Sequence, residues 1–370
     1  MKRFVLHLVT LVLASGLVQA QDDAVHEYAK LFQQGIDDLT EGRYDDGIQA
    51  FKRCLELVPE DNVCAYNIAC GYSLKNEADP AVEWFGKSVD WGFGWREGNI
   101  EHVANDTDLD NVREDPRFIA HYDRMKAMVA DAEAYAKEPA VHIPEGLVEG
   151  EEWPLLVVLH DFGKTKESVV EGPWRDVADA LGFALVAPSG KFPATSQGPE
   201  GGMSWFMNVN DYVLKPWNYE RTASDAVIAF RKEHKMDRGR VLIAGDGVGG
   251  MVAFNMAVRA PGLYKGVLVH NGIFYNELAQ SKAVNAGKRG LKAGFLFESQ
   301  GPIFRFLPLA PENYDDDVVA NAIEASMKTW GIEHTIHTYE LDEEAETAFP
   351  LEKIVDTLQG FLPQPVGADG

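Results

Sequence analysis

VLIAGDGVGG, residues Val241 to Gly250, decides how this chain folds. Val241 to Ala244 is a short, uninterrupted apolar run, the pattern of a strand buried on both faces. The run stops at Gly245, and small residues lead into the apolar helical stretch Met251 to Arg259. A strand-to-helix corner this sharp closes only where small residues flank its apex, and the apex itself sits at positive φ. With Gly245 and Gly249 in the flanking positions, the apex falls on Gly247. Glycine accepts that backbone at little cost and brings no side chain to it.

Similar apolar runs lie on either side: Pro154 to His160, Phe183 to Ala187, Val267 to Val269, Ala293 to Phe297, and HTIHTYEL from His334 to Leu341. Helical stretches separate them at Trp174 to Leu181, Tyr219 to His234 and Val318 to Trp330, with a last one at Leu351 to Leu362. This alternation predicts a doubly wound, mostly parallel α/β sheet over residues 138–364. Ligands of such sheets bind beyond the carboxyl ends of the strands. Those ends carry His160-Asp161-Phe162-Gly163, Pro188-Ser189-Gly190, the Gly247 corner, His270-Asn271-Gly272 and Glu298 to Gly301. The long connection from Lys191 to Asn218 holds Met203, Trp205, Phe206, Met207, Tyr212 and Trp217. It reads either as a lid whose exposed aromatics receive an acyl, sugar or peptide ligand, or as a loop packed over the sheet.

Residues 24–132 are helical in pattern, with a 34-residue period. Gly35 pairs with Ala69, Gly47 with Ala81, and Phe51 with Phe85. Small residues recur where helices approach closely, and an aromatic recurs to fill the gap between them. YDDGIQAFKRCLELVPED and VCAYNIACGYSLKNEADPAVEWFGKSV resemble tetratricopeptide repeats, with Tyr44, Phe51, Pro59, Tyr66, Asn67 and Tyr72 in the family's positions. Asp38, where the family has an aromatic, departs from the pattern. DTDLDNVREDPRFIAHYDRMKAM resembles the closing helix of such arrays, anchored by Phe118. The resemblance implies an all-α solenoid that binds a peptide or protein on its concave side. Two repeats fall short of the three such arrays usually need, so bracing of a neighbouring domain is the competing role.

LVVLHDFGKTKES, WRDVADALGFALVAPSG and VLIAGDGVGGMVAFNMAVRAPGLYKGVLVHNG resemble the α/β-hydrolase fold, in its carboxylesterase, phospholipase-like and polyester-depolymerase group. The resemblance runs from about Pro154 to Leu362. It implies a nucleophile at Gly247, an acid at Gly301 within ESQGP, and a histidine at Thr347 within ETAFP. None of these residues can do that chemistry, so the resemblance implies a pseudoenzyme with no catalytic residue at the triad positions. Asp161 stands where the family has glycine beside its oxyanion hole. Asp246 is a poor substitute nucleophile, because that register places Val248 in a position that must be small; it is expected beside the strand end, capping the following helix. The expected crevice is formed by His160, Asp161, Phe162, Asp246, Val248, His270, Trp205 and Phe206. An active esterase-like hydrolase using Asp246, His160 or His270 is the alternative. His160, His270, Asp161 and Asp246 show no tight ligand spacing such as H-x-x-x-H, and GDGVGG lacks the spacing of a nucleotide-binding loop, so no metal or cofactor is expected.

The 370 residues carry a net charge of −24 and are 46% hydrophobic. The first excludes nucleic acid and anionic membranes as partners, and the second excludes global disorder. Lys2 and Arg3, the apolar stretch Phe4 to Leu17, and Val18-Gln19-Ala20 read as a signal peptide over residues 1–20, too short in its apolar part to span a bilayer. The expected destination is periplasmic or extracellular. Cys54, Cys64 and Cys70, an odd number in one short stretch, read as apolar fillers in helices. Asp106, Asp108 and Asp110 have the opening spacing of a calcium loop, but Asn111 and Arg117 stand where that loop needs Gly and Glu.

Overall fold

The computed structural model describes residues 17–195, 197–206, 216–272, 276–298, 316–340 and 349–363. Gly301 and Thr347 lie outside these residues, as do Met207, Tyr212 and the first sixteen residues. The chain divides into two compact units, residues 1–134 with 193–201, and residues 135–192 with 202–370.

The first unit begins with paired helices: α1 (Leu17–Thr40) with α2 (Tyr44–Leu57), then α3 (Asn62–Leu74) with α4 (Ala78–Asp90). Asp61 starts α3 by accepting the Val63 and Cys64 amides at 2.8 and 2.9 Å, a side-chain cap on two otherwise orphaned donors. Gly35 lets α1 close on α2: a Cβ there would lie 2.7 Å from the Phe51 ring. Ala69, Ala81 and Phe85 are fully buried in the cluster that joins α3 and α4. Tyr66 stacks on Phe93 at 4.1 Å, and Phe85 on Phe118 at 4.4 Å. Pro59 lies two residues beyond the end of α2, while Asn67 and Tyr72 bond to the Val63 carbonyl and the Lys52 ammonium. Two further helices, α5 (Asn99–Asn105) and α6 (Pro116–Lys137), complete the helical region.

The second unit is a seven-stranded, mostly parallel sheet with helices on both faces. Its strands are β1 (Ala140–His142), β2 (Trp153–Leu159), β3 (Ala184–Ala187), β4 (Met236–Asp246), β5 (Gly266–His270), β6 (Lys292–Glu298) and β7 (Glu333–Tyr339). They lie in the order β1-β3-β2-β4-β5-β6-β7, and only β1 runs antiparallel to its neighbour. The helices are α7 (Lys166–Val170), α8 (Pro173–Leu181), α9 (Arg221–Glu233), α10 (Gly247–Arg259), α11 (Asn276–Lys288), α12 (Asp316–Trp330) and α13 (Leu351–Gly360).

Strand β2 shows why its sequence lacks alternation. Leu155, Val157 and Leu159 enter the core beneath α9, α10, α11 and α12, while Leu156 and Val158 enter the opposite core with α8 and α13. A strand covered on both faces has no polar side to display.

The structure departs from the sequence-based boundaries at several points. β1 was not expected, because three residues with Val141 exposed carry no apolar run. β4 begins at Met236 rather than Val241. α10 starts at Gly247 itself, four residues before the apolar stretch, because glycines at its first turn hide the helical signal. The helix expected from Tyr219 to His234 runs from Arg221 to Glu233 as α9, after a separate four-residue helix at Pro216–Tyr219.

Candidate functional site at the carboxyl end of the sheet

Strand β4 lies between β2 and β5, and its last residues face the ends of both. Gly245 is level with Leu159, and Asp246 with His270. Gly247 follows with φ of +49°, the left-handed backbone required at the apex of the corner. The flanking glycines are sterically obligatory. A Cβ on Gly245 would lie 2.4 Å from the Gly249 carbonyl carbon, and one on Gly249 would lie 2.3 Å from the Leu159 oxygen.

The Asp161 carboxylate fills the space over this apex. Its Oδ1 accepts the backbone amide of Val248 at 2.9 Å and that of Phe162 at 2.7 Å. These two donors converge from the helix start and from the loop after β2, the arrangement that receives a developing oxyanion in acyl transfer. A Cβ on Gly247 would lie 2.0 Å from the same Oδ1. An elbow side chain and the Asp161 carboxylate therefore exclude each other. Gly247 and Asp161, two separate departures in the sequence, are one feature in space. Burial pushes the Asp161 carboxyl above the usual carboxylate value, opposed by its two amide donors.

His160 is 1% exposed and serves the loops. The Gly190 amide donates to its Nε2 at 3.0 Å, which leaves the proton on Nδ1 to donate to the Asp161 carbonyl at 2.7 Å. Burial pushes its pKa down to about 4, so the ring is neutral. Trp205 stacks on this ring at 5.0 Å and donates its indole N–H to the His160 carbonyl at 2.8 Å.

His270 and Asp246 are hydrogen bonded to each other, Nδ1 to Oδ1 at 2.6 Å. Trp174, on α8, donates its indole N–H to the other carboxylate oxygen at 2.6 Å. His270 Nε2 meets the Tyr339 hydroxyl at 2.7 Å, and Asn271 donates to that hydroxyl at 3.1 Å. Asn271 is itself fixed by the Glu298 amide, which donates to its Oδ1 at 2.8 Å. The donors order the chain: Asn271 to Tyr339, Tyr339 to His270, and His270 and Trp174 to Asp246. Burial raises the Tyr339 phenol to about 12. Phe349 packs edge-on against both His270 and Trp174.

The expected crevice residues thus fall into different roles. Asp161, Val248 and Phe162 meet through the amide pair, and the Phe162 ring is 56% exposed above it. Asp246 occupies the position before α10 but accepts no helix amide, so the expected cap is corrected: both its oxygens are taken by His270 and Trp174. Of the two readings of the Lys191 to Asn218 connection, the packed loop describes Met203 and Trp205 and the exposed aromatic describes Trp217. Met203 and Trp205 are fully buried, because the Trp205 indole finds its partner beneath the loop, whereas Trp217 is 64% exposed. Phe206 is half-buried, its carbonyl held by the Ser204 hydroxyl. Trp174 and Tyr339 were not expected here, and Asn271 was expected only by its place at a strand end. They come from three separate elements, and no local spacing signals their meeting.

Among the described residues, the group able to hold a metal ion is Cys70, Asp106 and Asp108 in the helical unit, with ligand atoms within 4.8 Å. Asp106 already accepts the Tyr66 hydroxyl at 2.6 Å and the Asp108 amide at 3.0 Å, which accounts for its position. His160 and His270 do not share a ligand set with the two aspartates.

No protein-family model matches the chain, and no curated protein does. Solved structures do resemble it. A crystal structure of esterase PE8 is 14% identical, over 61% of this chain and 99% of that chain, with a TM-score of 0.47. An uncharacterized protein from Bacillus cereus ATCC 10987 is 13% identical, over 90% of this chain and 99% of that one, with a TM-score of 0.41. The Bacillus cereus carboxylesterase is 12% identical, over 60% and 94%, also at 0.41. These likenesses concern chain folding and do not extend to chemistry.

Proposed function

We propose that the protein is an exported tetratricopeptide-repeat protein whose hydrolase-type unit is catalytically vacant and works by binding or scaffolding. In this reading the helical region engages a peptide or protein, and the crevice beyond the sheet holds a small acyl, sugar or peptide ligand without turning it over. One observation carries it: the Asp161 carboxylate lies against the Gly247 apex and accepts both amides that would receive an oxyanion. Covalent acyl transfer needs an activated oxygen or sulfur at the apex. It also needs those amides free as negative charge develops. Here the apex offers hydrogen, and the amides face a carboxylate before any substrate arrives. Export is supported by the Lys2-Arg3 and Phe4 to Leu17 pattern.

The rival reading, an esterase-like hydrolase using Asp246, His160 or His270, has one observation in its favour. Asp246 holds His270 in the tautomer of a general base, with Nε2 directed at the Tyr339 hydroxyl. Against it, both ring nitrogens of His160 are bonded to backbone. A panel of short acyl esters and a fluorophosphonate probe decide between them. The binding reading predicts hydrolysis no faster than buffer and no probe incorporation. Ester turnover that is abolished by His270→Gln would sink it and establish the rival. Native mass spectrometry of the purified protein tests occupancy of the crevice.

A further inference from the structure

We propose that Cys54 and Cys64 are a disulfide-forming pair that ties α2 to α3 when the folding chain meets a disulfide donor. The proposal concerns the helical unit and stands apart from the binding reading of the sheet. All three cysteines are buried and free, and topology selects one pairing among them. Cys64 and Cys70 lie six residues apart on one helix, about 9 Å along its axis, beyond the Cα separation a disulfide spans. Cys54 and Cys64 belong to the apolar cluster of α1, α2 and α3, whereas Cys70 belongs to the cluster shared with α4. There its thiol faces Asp106 at 3.9 Å.

Tyr28, on α1, covers both members of the pair. Its backbone oxygen takes the Cys54 thiol at 3.8 Å, and its hydroxyl lies 3.6 Å from the Cys64 sulfur. The neighbouring Cys54 side chain, ahead of burial, favours the neutral form of the Cys64 thiol. Neutral, covered thiols exchange slowly, because the thiolate is the attacking species. The bond therefore forms as α1 folds over the pair, or when α1 opens, rather than in the closed array.

The donor is a disulfide, either an oxidised low-molecular-weight thiol or an oxidised dithiol oxidoreductase. The thiolate of one cysteine attacks a donor sulfur, forms a mixed disulfide and releases the first donor thiolate. The second cysteine, deprotonated, attacks the protein sulfur of that mixed disulfide and releases the second. Two protons and two electrons pass to the donor, which leaves as two thiols.

The test refolds the full chain from denaturant with oxidised glutathione, blocks the remaining thiols, and maps non-reduced peptides. The expected result is a mass lower by two hydrogen atoms before blocking, a peptide pair joining Cys54 to Cys64, and Cys70 alone blocked. The oxidised protein should melt several degrees higher than the reduced one, with the gain erased by reductant. Cys70→Ser should keep the link and Cys54→Ala should lose it. If Cys54→Ala does not fold, the wild-type peptide map still decides. Three blockable thiols after oxidative refolding, or a link through Cys70, overturns the proposal.

Discussion

Two His/Asp pairs stand at the carboxyl end of the sheet, and they are built in opposite ways. In the first, His160 and Asp161 are adjacent in sequence, yet ring and carboxylate do not touch; both turn to backbone groups of the surrounding loops. In the second, Asp246 and His270 come from neighbouring strands and bond side chain to side chain, with Trp174 and Tyr339 completing the chain. The first pair stabilises a particular loop path and fills the space an elbow side chain would use. The second pair is a polar network between strand ends. Residue type alone did not separate them, since both read as a histidine beside an aspartate in a crevice. What separates them is whether the partners are main chain or side chain.

Breaking the second pair should cost most. Asp246→Ala strands the Trp174 and His270 donors in a mostly buried setting, a loss of about 3 kcal/mol in urea unfolding. If the variant unfolds with the wild type, the network is decorative and the contrast between the pairs fails.

The first pair should announce itself through acid. The unfolded chain protonates His160 near the ordinary value of 6.5, the folded chain only near about 4. Stability from this group is therefore complete above 6.5 and drains as pH falls through that window, by about 3 kcal/mol at most. Unfolding followed between those pH values should show the decline, and His160→Gln should flatten it. An unchanged slope in the variant would move the acid sensitivity elsewhere.

Asp161→Asn sharpens the comparison with the smallest effect. The folded-state carboxyl is raised, so its contribution is greatest at low pH and is lost as pH rises through the folded value. Asparagine keeps an acceptor for both amides and never ionises. Relative to wild type it should gain stability as pH climbs out of the carboxylate range, by less than about 1 kcal/mol. A constant offset at every pH would mean that Asp161 ionises as freely folded as unfolded.

The sheet was legible because β2, β3, β5 and β6 are buried on both faces and say so in unbroken apolar runs. The corner was legible because Gly245 and Gly249 admit no side chain. β1 was not, being short and partly exposed. The site was legible as a location but not as a set of contacts. The sequence marks Asp161 only as a departure beside the oxyanion hole, whereas in the structure its carboxylate is bonded to the amides. That bond depends on the Val248 amide, 87 residues further along the chain, whose direction is set by the corner and not by any side chain. Sequence alone left Trp205 between a lid and a packed loop for a related reason: its indole partner is the backbone carbonyl of His160, which no residue pattern advertises.

The central claim is that Gly247 and Asp161 share one volume, and a double-mutant cycle measures that directly. Gly247→Ser alone should destabilise by about 2 kcal/mol or more, from the +49° backbone and the collision with the carboxylate. In an Asp161→Gly background the same change should cost markedly less, giving a coupling energy above about 1 kcal/mol. Additive costs across the cycle would contradict the account, because they would place the Asp161 carboxylate away from the apex of the corner.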